Sequence, residues 1–202
     1  MKTIYFDNNA TTRVDPEVVT AMMPFFTERY GNASSIHAFG ASVGDAIKEA
    51  RRNVQALVGA EFDHEIVFTS GGTESNGTAL LSALENQGTR DEIVTTAVEH
   101  PAILALCKHL SDSRGIKVHL VPVDRAGRLN LDAYRRALGP RTAVASVMWA
   151  NNETGILFPV EQLAEWAHAA GALFHTDAVQ AVGKVPVRVK GTAIDMLSAS
   201  GH

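Results

Sequence analysis

The chain has 202 residues, a net charge of −4, a pI near 6.0, 46% hydrophobic residues and 20% charged residues. These values exclude wholesale disorder and the basic face of a nucleic-acid-binding protein, so we expect no nucleic-acid partner. Its single cysteine, Cys107, excludes an internal disulfide framework. With no signal-peptide pattern and no apolar stretch of about 20 residues, we expect a soluble cytoplasmic protein with no membrane partner.

The first sixty residues predict helices. Asp15 and Pro16 supply an N-cap and a proline at the first helical position of a run that continues to about Tyr30. Pro24 should kink or shorten that run. Residues 31–40 predict a loop, followed by a helix from about Ala41 to Val58 that ends at Gly59.

Strand-like and helical runs alternate through the rest of the chain. The predicted strands cover residues 65–70, 92–98, 116–123, 142–150, 172–177 and 193–200, and the intervening helices cover 73–85, 101–110, 131–138 and 160–170. The strands are rich in Val, Ile, Leu and Ala with little alternation, as in strands covered on both faces. This pattern predicts an α/β fold with a mostly parallel, doubly wound sheet and helices on both faces.

Ligands of open α/β sheets bind beyond the carboxyl ends of the strands, so the residues that follow each strand are candidates for a site. Ser70-Gly71-Gly72-Thr73 follows the first predicted strand. Its glycines allow close approach of the backbone, and free N–H groups at a helix start suit an anion such as phosphate. A tight turn with Thr73 as the helix cap is the alternative.

Two further strand ends carry histidine and amide side chains. His100 follows the strand at 92–98 and could stack on an aromatic ligand or move protons, or it could be a surface or capping residue. Asn151 and Asn152 follow the strand at 142–150. They suit a turn, although an asparagine here could equally donate to a ligand oxygen.

Asp177 is the most suggestive single residue. A carboxylate at the end of an apolar strand costs free energy unless a cation or strong donors face it, and these could be a helix start or the protonated ring nitrogen of a cofactor. Gln180 should reach the same side, and the last strand ends near Ser200 and His202. Cys107 has the spacing of a buried helix residue. The other histidines show no metal-ligand spacing, so no metal site is predicted.

Several motifs in order closely resemble those of the cysteine desulfurases, which are fold-type I pyridoxal-phosphate enzymes, and most nearly the NifS type. They are FDNNATT, FTSGGTESN, AVEHPAIL, VMWANNETG, HTDAVQAVGK and the final SGH. The resemblance implies the large domain of a PLP-dependent transferase. Residues 1–202 would comprise an N-terminal segment and most of the pyridoxal-phosphate-binding large domain, without the C-terminal part of that domain and without the small domain.

The resemblance also implies a role for each strand-end residue. Gly72, Thr73, Ser200 and His202 would hold the phosphate of pyridoxal 5′-phosphate. His100 would stack on its ring and take part in proton transfer, and Asp177 would pair with the pyridinium nitrogen. Asn152 and Gln180 would hydrogen-bond near the phenolic oxygen.

The implied reaction removes sulfur from L-cysteine, giving L-alanine and an enzyme persulfide for iron–sulfur cluster assembly in nitrogen fixation. The implied partners are a second copy of the chain, in a homodimer that completes the phosphate site, and an iron–sulfur scaffold protein as sulfur acceptor. Another pyridoxal-phosphate enzyme of the same fold (a selenocysteine lyase or an aminotransferase-like enzyme) is one alternative. A non-catalytic partner is the other.

Three family features have no counterpart in the sequence. The lysine that directly follows Ser-Gly-His in the family is absent, as are the loop cysteine that attacks sulfur and the arginine that binds the substrate carboxylate. Cys107 does not occupy the position of the attacking cysteine. We therefore expect a fragment of a chain roughly twice as long, inactive by itself and prone to aggregation through an exposed sheet edge and apolar helix faces.

Overall fold

The computed structural model describes residues 3–202, which divide into one compact unit ending at Val67 and a second comprising Phe68–His202. The first unit is helical. Its elements are α1 (Pro16–Met22), α2 (Pro24–Thr27), α3 (Ala38–Val58) and a 3-10 turn at Asp63–Glu65. None of the helices in residues 3–202 combines the length and the apolar character needed to cross a membrane.

The predicted helix signals of the first unit are confirmed. The Asp15 side chain accepts a hydrogen bond from the Glu17 N–H at 2.8 Å, and Pro24 divides the run into α1 and α2. Gly59 ends α3 in the left-handed conformation, with φ of 64°. However, α3 begins at Ala38 rather than at about Ala41, because His37 Nδ1 accepts from the Gly40 N–H at 3.2 Å. Histidine is not among the usual capping residues, so this helix start was not predictable from residue type.

The second unit alternates helices and strands along the chain. In order, they are α4 (Gly72–Asn86), β1 (Glu92–Thr96), α5 (Pro101–Arg114), β2 (Lys117–Val121), α6 (Leu131–Ala137), β3 (Thr142–Ser146), α7 (Val160–Ala169), β4 (Leu173–Asp177) and β5 (Met196–Ser198). Every predicted strand from residue 92 onward is present but shorter than predicted. The residues beyond the strand ends form loops that carry His100, Asn152 and Ser200, whereas Asp177 is the last residue of β4.

The strand predicted at 65–70 is wrong. Glu65 ends the 3-10 turn, and residues 66–70 have no regular structure, with Val67 and Phe68 exposed. An extended apolar run becomes a strand only where a neighbouring strand completes its backbone hydrogen bonds, and the paired strands of the sheet do not include this run. An apolar, β-branched composition indicates a tendency to form a strand, but it does not show whether a partner strand is available.

The sheet has five parallel strands in the order β2-β1-β3-β4-β5, which confirms the predicted parallel α/β class. The chain passes from β1 to β2 on one side and then returns to place β3 on the other side of β1. The strand order therefore reverses between β1 and β3. Ligands bind at such a reversal, outside the carboxyl ends of the strands.

Two apolar clusters cover the two faces of the sheet. Ile93 and Val144 pack with Leu80 of α4 and Ile103 of α5. Their neighbours on the opposite face pack with α6 and α7, in a cluster that includes Val94, Ala145, Tyr134 and Leu163. The strands are thus buried on both sides, which accounts for their nearly continuous apolar sequences.

Candidate active site

A cavity of about 200 Å³ lies at the carboxyl ends of the strands in the second unit. Seven of the eight residues predicted for the site line it: Gly72, Thr73, His100, Asn152, Asp177, Gln180 and Ser200. The eighth, His202, is outside the lining, and its Nε2 lies 3.5 Å from Nε2 of Gln180. Residues from α4 and from the loops after β1, β3, β4 and β5 therefore come together at one edge of the sheet.

The start of α4 forms one wall of the cavity. Gly71 occupies the N-cap position without a side-chain cap, so Thr73 is not the cap that the alternative interpretation required. The first N–H groups of a helix have no intrahelical acceptor and are available to an anion. A Cβ on Gly72 would lie 3.3 Å from Val179 Cγ2, so the glycine permits close approach of this turn to the loop after β4.

Glu74 also stabilises the start of α4. Its Oε2 accepts from the Ser70 N–H at 2.6 Å and from the Ser70 hydroxyl. These hydrogen bonds lower the pKa of the exposed Glu74 carboxyl and so favour its ionised form. These contacts hold Ser70, in the loop before α4, against the first turn of that helix.

His100 both caps a helix and lines the cavity. Its Nδ1 accepts from the Ala102 N–H at 3.1 Å at the start of α5. Because that nitrogen is the acceptor, the neutral ring carries its proton on Nε2. The two alternatives for His100, capping residue and site residue, are therefore compatible.

The two adjacent asparagines have different environments. Asn151 is buried, and its Oδ1 accepts from the N–H groups of Glu153 and Thr154 at 3.1 and 2.9 Å, which builds the turn. Asn152 lines the cavity, and its Nδ2 donates to Glu153 Oε1 at 2.6 Å. The turn interpretation therefore applies to Asn151, and Asn152 is the asparagine that faces the cavity.

Asp177, only 6% exposed, is held by two donors. The Asn76 Nδ2 donates to its Oδ2 at 2.6 Å, and the Val179 N–H donates to its Oδ1 at 3.0 Å. Among the ion pairs of the described residues, none involves Asp177. The cavity thus presents a nearly buried carboxylate that a cationic ligand atom would neutralise.

Gln180 and the final residues form the edge of the cavity. The Lys184 ammonium donates to the Gln180 side-chain oxygen, so the amide nitrogen of Gln180 is directed toward His202. No lysine of residues 3–202 contributes to the lining itself.

Glu99 was not identified as a site residue from the sequence. It is buried next to His100, and its Oε1 accepts from the Thr96 hydroxyl at 2.7 Å and from the Met148 N–H at 3.0 Å. Its Oε2 has no partner among the described residues. Burial raises the pKa of Glu99 to about 8, so the carboxyl is neutral at pH 7 and links the ends of β1 and β3.

A buried hydrogen-bond chain joins the sheet to α4. The Ser75 hydroxyl donates to Ser198 Oγ at 2.9 Å, Ser198 Oγ lies 3.0 Å from His175 Nε2, and His175 Nδ1 lies 2.9 Å from Ser146 Oγ. Burial lowers the pKa of His175 to about 3, so the ring is neutral. The chain fixes the first turn of α4 against β5 and, through His175, β4 and β3.

Four cavity residues carried no signal that the sequence analysis used. Asn76, Met148, Ala150 and Val179 also line the cavity. Three of them are apolar and provide walls rather than polar contacts. Asn76 lay within the quoted FTSGGTESN motif, but its direction depends on the phase of α4 and on where the helix lies against β4, which the motif does not specify.

The residues present fit pyridoxal 5′-phosphate. A helix start with free N–H groups suits a phosphate, and the nearly buried Asp177 carboxylate, which forms no ion pair within residues 3–202, suits a protonated ring nitrogen. Cys107 is buried in α5, and burial raises the pKa of its thiol to about 12. It therefore packs as a small apolar residue, as predicted.

Comparisons with known proteins identify the family. The chain is 69% identical over all 202 residues to a cysteine desulfurase of Gluconacetobacter diazotrophicus and 60% identical to the cysteine desulfurase NifS of Azotobacter vinelandii, covering 50% of each. It therefore spans about half the length of these curated relatives.

A solved NifS-like protein superimposes with a TM-score of 0.93 at 39% identity, covering 98% of this chain and 55% of that one. These similarities confirm the resemblance found in the sequence motifs. The sequence profile of the class-V aminotransferases matches residues 4–202, and the chain belongs to that family.

Proposed function

We propose that the natural protein carrying this chain is a cysteine desulfurase that uses pyridoxal 5′-phosphate. The observation that carries the proposal is the nearly buried Asp177 carboxylate, which has no cationic partner within the described residues and lies in the same cavity as the start of α4. The similarity to cysteine desulfurases supports the choice of reaction within the family.

The residues of this chain would bind and orient the cofactor from several sides. The N–H groups of Gly72 and Thr73 would donate to its phosphate, with Ser200 and His202 nearby. Asp177 would accept from the ring nitrogen, and Asn152 and Gln180 would donate toward the phenolic oxygen. When bound, pyridoxal phosphate withdraws electrons and makes the Cα–H bond of an attached amino acid acidic.

His100 is suited to stack on the cofactor ring and to exchange a proton. Its Nδ1 is occupied by the Ala102 N–H, so any proton transfer at the cavity occurs at Nε2. The preceding residue, Glu99, is kept neutral by burial and adds no second negative charge near Asp177. The negative charge in this region therefore lies on Asp177, the carboxylate that would face the ring nitrogen.

The overall reaction transfers one sulfur atom. The Cβ–S bond of L-cysteine breaks, an S–S bond forms with a cysteine thiolate of the enzyme, and a proton takes the place of sulfur to give L-alanine. Cys107 is not that thiolate, because it is buried and its raised pKa keeps it protonated.

The proposed partners follow from the same assignment. They are L-cysteine, a second copy of the chain in a homodimer, and an iron–sulfur scaffold protein that accepts the sulfur. Similarity to NifS of Azotobacter vinelandii supports a role in supplying nitrogenase clusters. Because the attacking cysteine must be a free, reduced thiol and the cytosol keeps thiols reduced, we assign the reaction to the cytoplasm.

The test is product analysis on the natural protein loaded with pyridoxal phosphate. We expect L-cysteine to give equal amounts of L-alanine and protein-bound or reducible sulfur. Protein without the cofactor is the matched control and should give neither product. Turnover of L-selenocysteine alone, or amino-group transfer to a keto acid, would favour another enzyme of the fold, and no turnover of any amino acid would favour a non-catalytic partner.

A further inference from the structure

Asn76 connects the start of α4 to the Asp177 carboxylate in the cavity. It is 2% exposed, lines the cavity and donates from Nδ2 to Asp177 Oδ2 at 2.6 Å. An ionised carboxylate can only accept hydrogen bonds, so this contact fixes which end of the Asn76 amide faces Asp177.

The two oxygens of Asp177 are held in different ways. Oδ1 accepts from the Val179 N–H two residues along the same chain segment, a local turn contact. Oδ2 accepts from Asn76, which is 101 residues away in the sequence and belongs to another element. Asn76 therefore sets the angle of the carboxylate relative to α4, which the local turn cannot do.

Packing alone does not account for an asparagine at this position. Its Oδ1 is buried and has no partner within residues 3–202, which costs free energy that an apolar side chain would avoid. Among the described residues, its side chain has one hydrogen-bond partner, Asp177. The residue that precedes it, Ser75, is fixed by Ser198, so the helix cannot rotate Asn76 away without breaking that bond.

We propose that Asn76 is a positioning residue that holds the Asp177 carboxylate toward the ring nitrogen of the cofactor. This proposal rests on the proposed pyridoxal-phosphate-dependent function and adds a role that belongs to α4. The helix whose start would bind the phosphate also orients the group that would bind the opposite end of the ring. One helix, α4, would therefore set the positions of both the phosphate and the ring nitrogen.

The experiment compares two ligands that differ only at the ring nitrogen. Pyridoxal 5′-phosphate and its carbocyclic analogue, 1-deaza-pyridoxal 5′-phosphate, are titrated into the natural protein freed of cofactor, with binding followed by quenching of protein fluorescence. We expect Asn76→Ala to weaken pyridoxal phosphate by about tenfold to a hundredfold, as for loss of a hydrogen bond to a charged group. Affinity for the analogue should stay unchanged.

The matched control lies on the same helix. Asn86 at the end of α4 is exposed, and its Nδ2 donates to the Ser82 carbonyl at 2.8 Å. Asn86→Ala should leave both affinities unchanged. Because positioning acts only through Asp177, adding Asn76→Ala to Asp177→Ala should cause no further loss for pyridoxal phosphate.

Three results would overturn the proposal: unchanged or tighter binding of pyridoxal phosphate by Asn76→Ala, equal weakening of both ligands, and additive effects with Asp177→Ala. If Asn76→Ala does not fold, the same ratio of affinities is measured on Asn76→Ser, whose shorter side chain cannot reach Asp177. Failure of the unaltered protein to bind either ligand would instead contradict the proposed function.

Discussion

At the scale of single residues, two buried carboxyl groups have different hydrogen-bond environments: Asp177 lines the cavity, and Glu99 lies next to His100 in the chain. Asp177 has a donor on each oxygen, whereas Glu99 has both donors on one oxygen and none on the other. Each residue therefore yields a separate prediction.

Asp177→Ala in the natural protein should lower kcat for alanine formation by roughly 10²–10³-fold. Loss of one preorganised electrostatic partner typically raises a barrier by about 2.7–4 kcal/mol. The measurement is steady-state alanine production with saturating cofactor. Asp112→Ala on the exposed face of α5, which breaks only a surface pair with Lys108, is the control. Unchanged kcat in Asp177→Ala would show that the carboxylate is structural.

Glu99→Gln should change how stability depends on pH. The folded-state pKa of Glu99 is raised to about 8, so its folded carboxyl holds a proton that the unfolded chain loses near its ordinary value of 4.5. The free energy of unfolding of the unaltered protein should therefore fall, relative to Glu99→Gln, by up to about 1.4 kcal/mol per pH unit between about pH 5 and 8.

Urea unfolding at several pH values measures this difference. Glu85→Gln, at an exposed position on α4, controls for the general effect of removing a carboxyl group. Parallel stability profiles for Glu99→Gln and the unaltered protein would mean that Glu99 is ionised when folded.

At the scale of elements, α4 is held to the sheet by polar side chains as well as by its apolar face. The chain from Ser75 through Ser198 and His175 to Ser146 crosses three adjacent strands. We expect His175→Leu to destabilise the protein by about 1–3 kcal/mol, because it leaves the buried Ser146 hydroxyl without that partner. Urea unfolding is the measurement, with His109→Leu on the exposed face of α5 as control; equal stability of the two variants would contradict the prediction.

Element ends were predictable where backbone chemistry decides them. Pro16, Pro24 and Gly59 gave correct boundaries because proline lacks an N–H and glycine adopts positive φ. The predicted strand at 65–70 failed because strand formation depends on a partner elsewhere in the chain. Parallel strands all point their carboxyl ends to one edge, so the rule that ligands bind beyond strand ends correctly grouped five of the site residues: His100, Asn152, Asp177, Gln180 and Ser200. Gly72 and Thr73 line the same cavity from the start of α4, although no strand within the described residues precedes them.

The contacts among those residues were not predictable. Asn76 and Glu99 lie within the quoted motifs, as His100 does, yet the directions of their side chains depend on how α4 and the loop after β1 pack. A sequence motif gives the position of a side chain along the chain. Only the packed helix and sheet determine that Asn76 reaches Asp177 and that Glu99 accepts from the Met148 N–H after β3.

At the scale of the whole molecule, the first unit leaves most of its large apolar side chains exposed. None of the residues of α1 and α2 is buried, and Phe6, Phe26 and Tyr30 are among the exposed aromatics. We expect the 202-residue polypeptide, expressed alone, to self-associate through this surface. Sedimentation velocity across a range of concentrations is the measurement, and a monomer at every concentration would contradict it. A polypeptide of the second unit's 68–202 alone should associate less.

The parallel arrangement of the strands also separates two sets of loops by the length of a strand, roughly 16 Å. The turns at Gly115 and at residues 139–141 precede β2 and β3. Every loop that lines the cavity instead follows a strand. A dye or affinity handle attached at those turns, or a short peptide inserted there, would lie at the edge of the sheet opposite the cavity. Spectroscopic labels attached there could report on ligand capture without obstructing it.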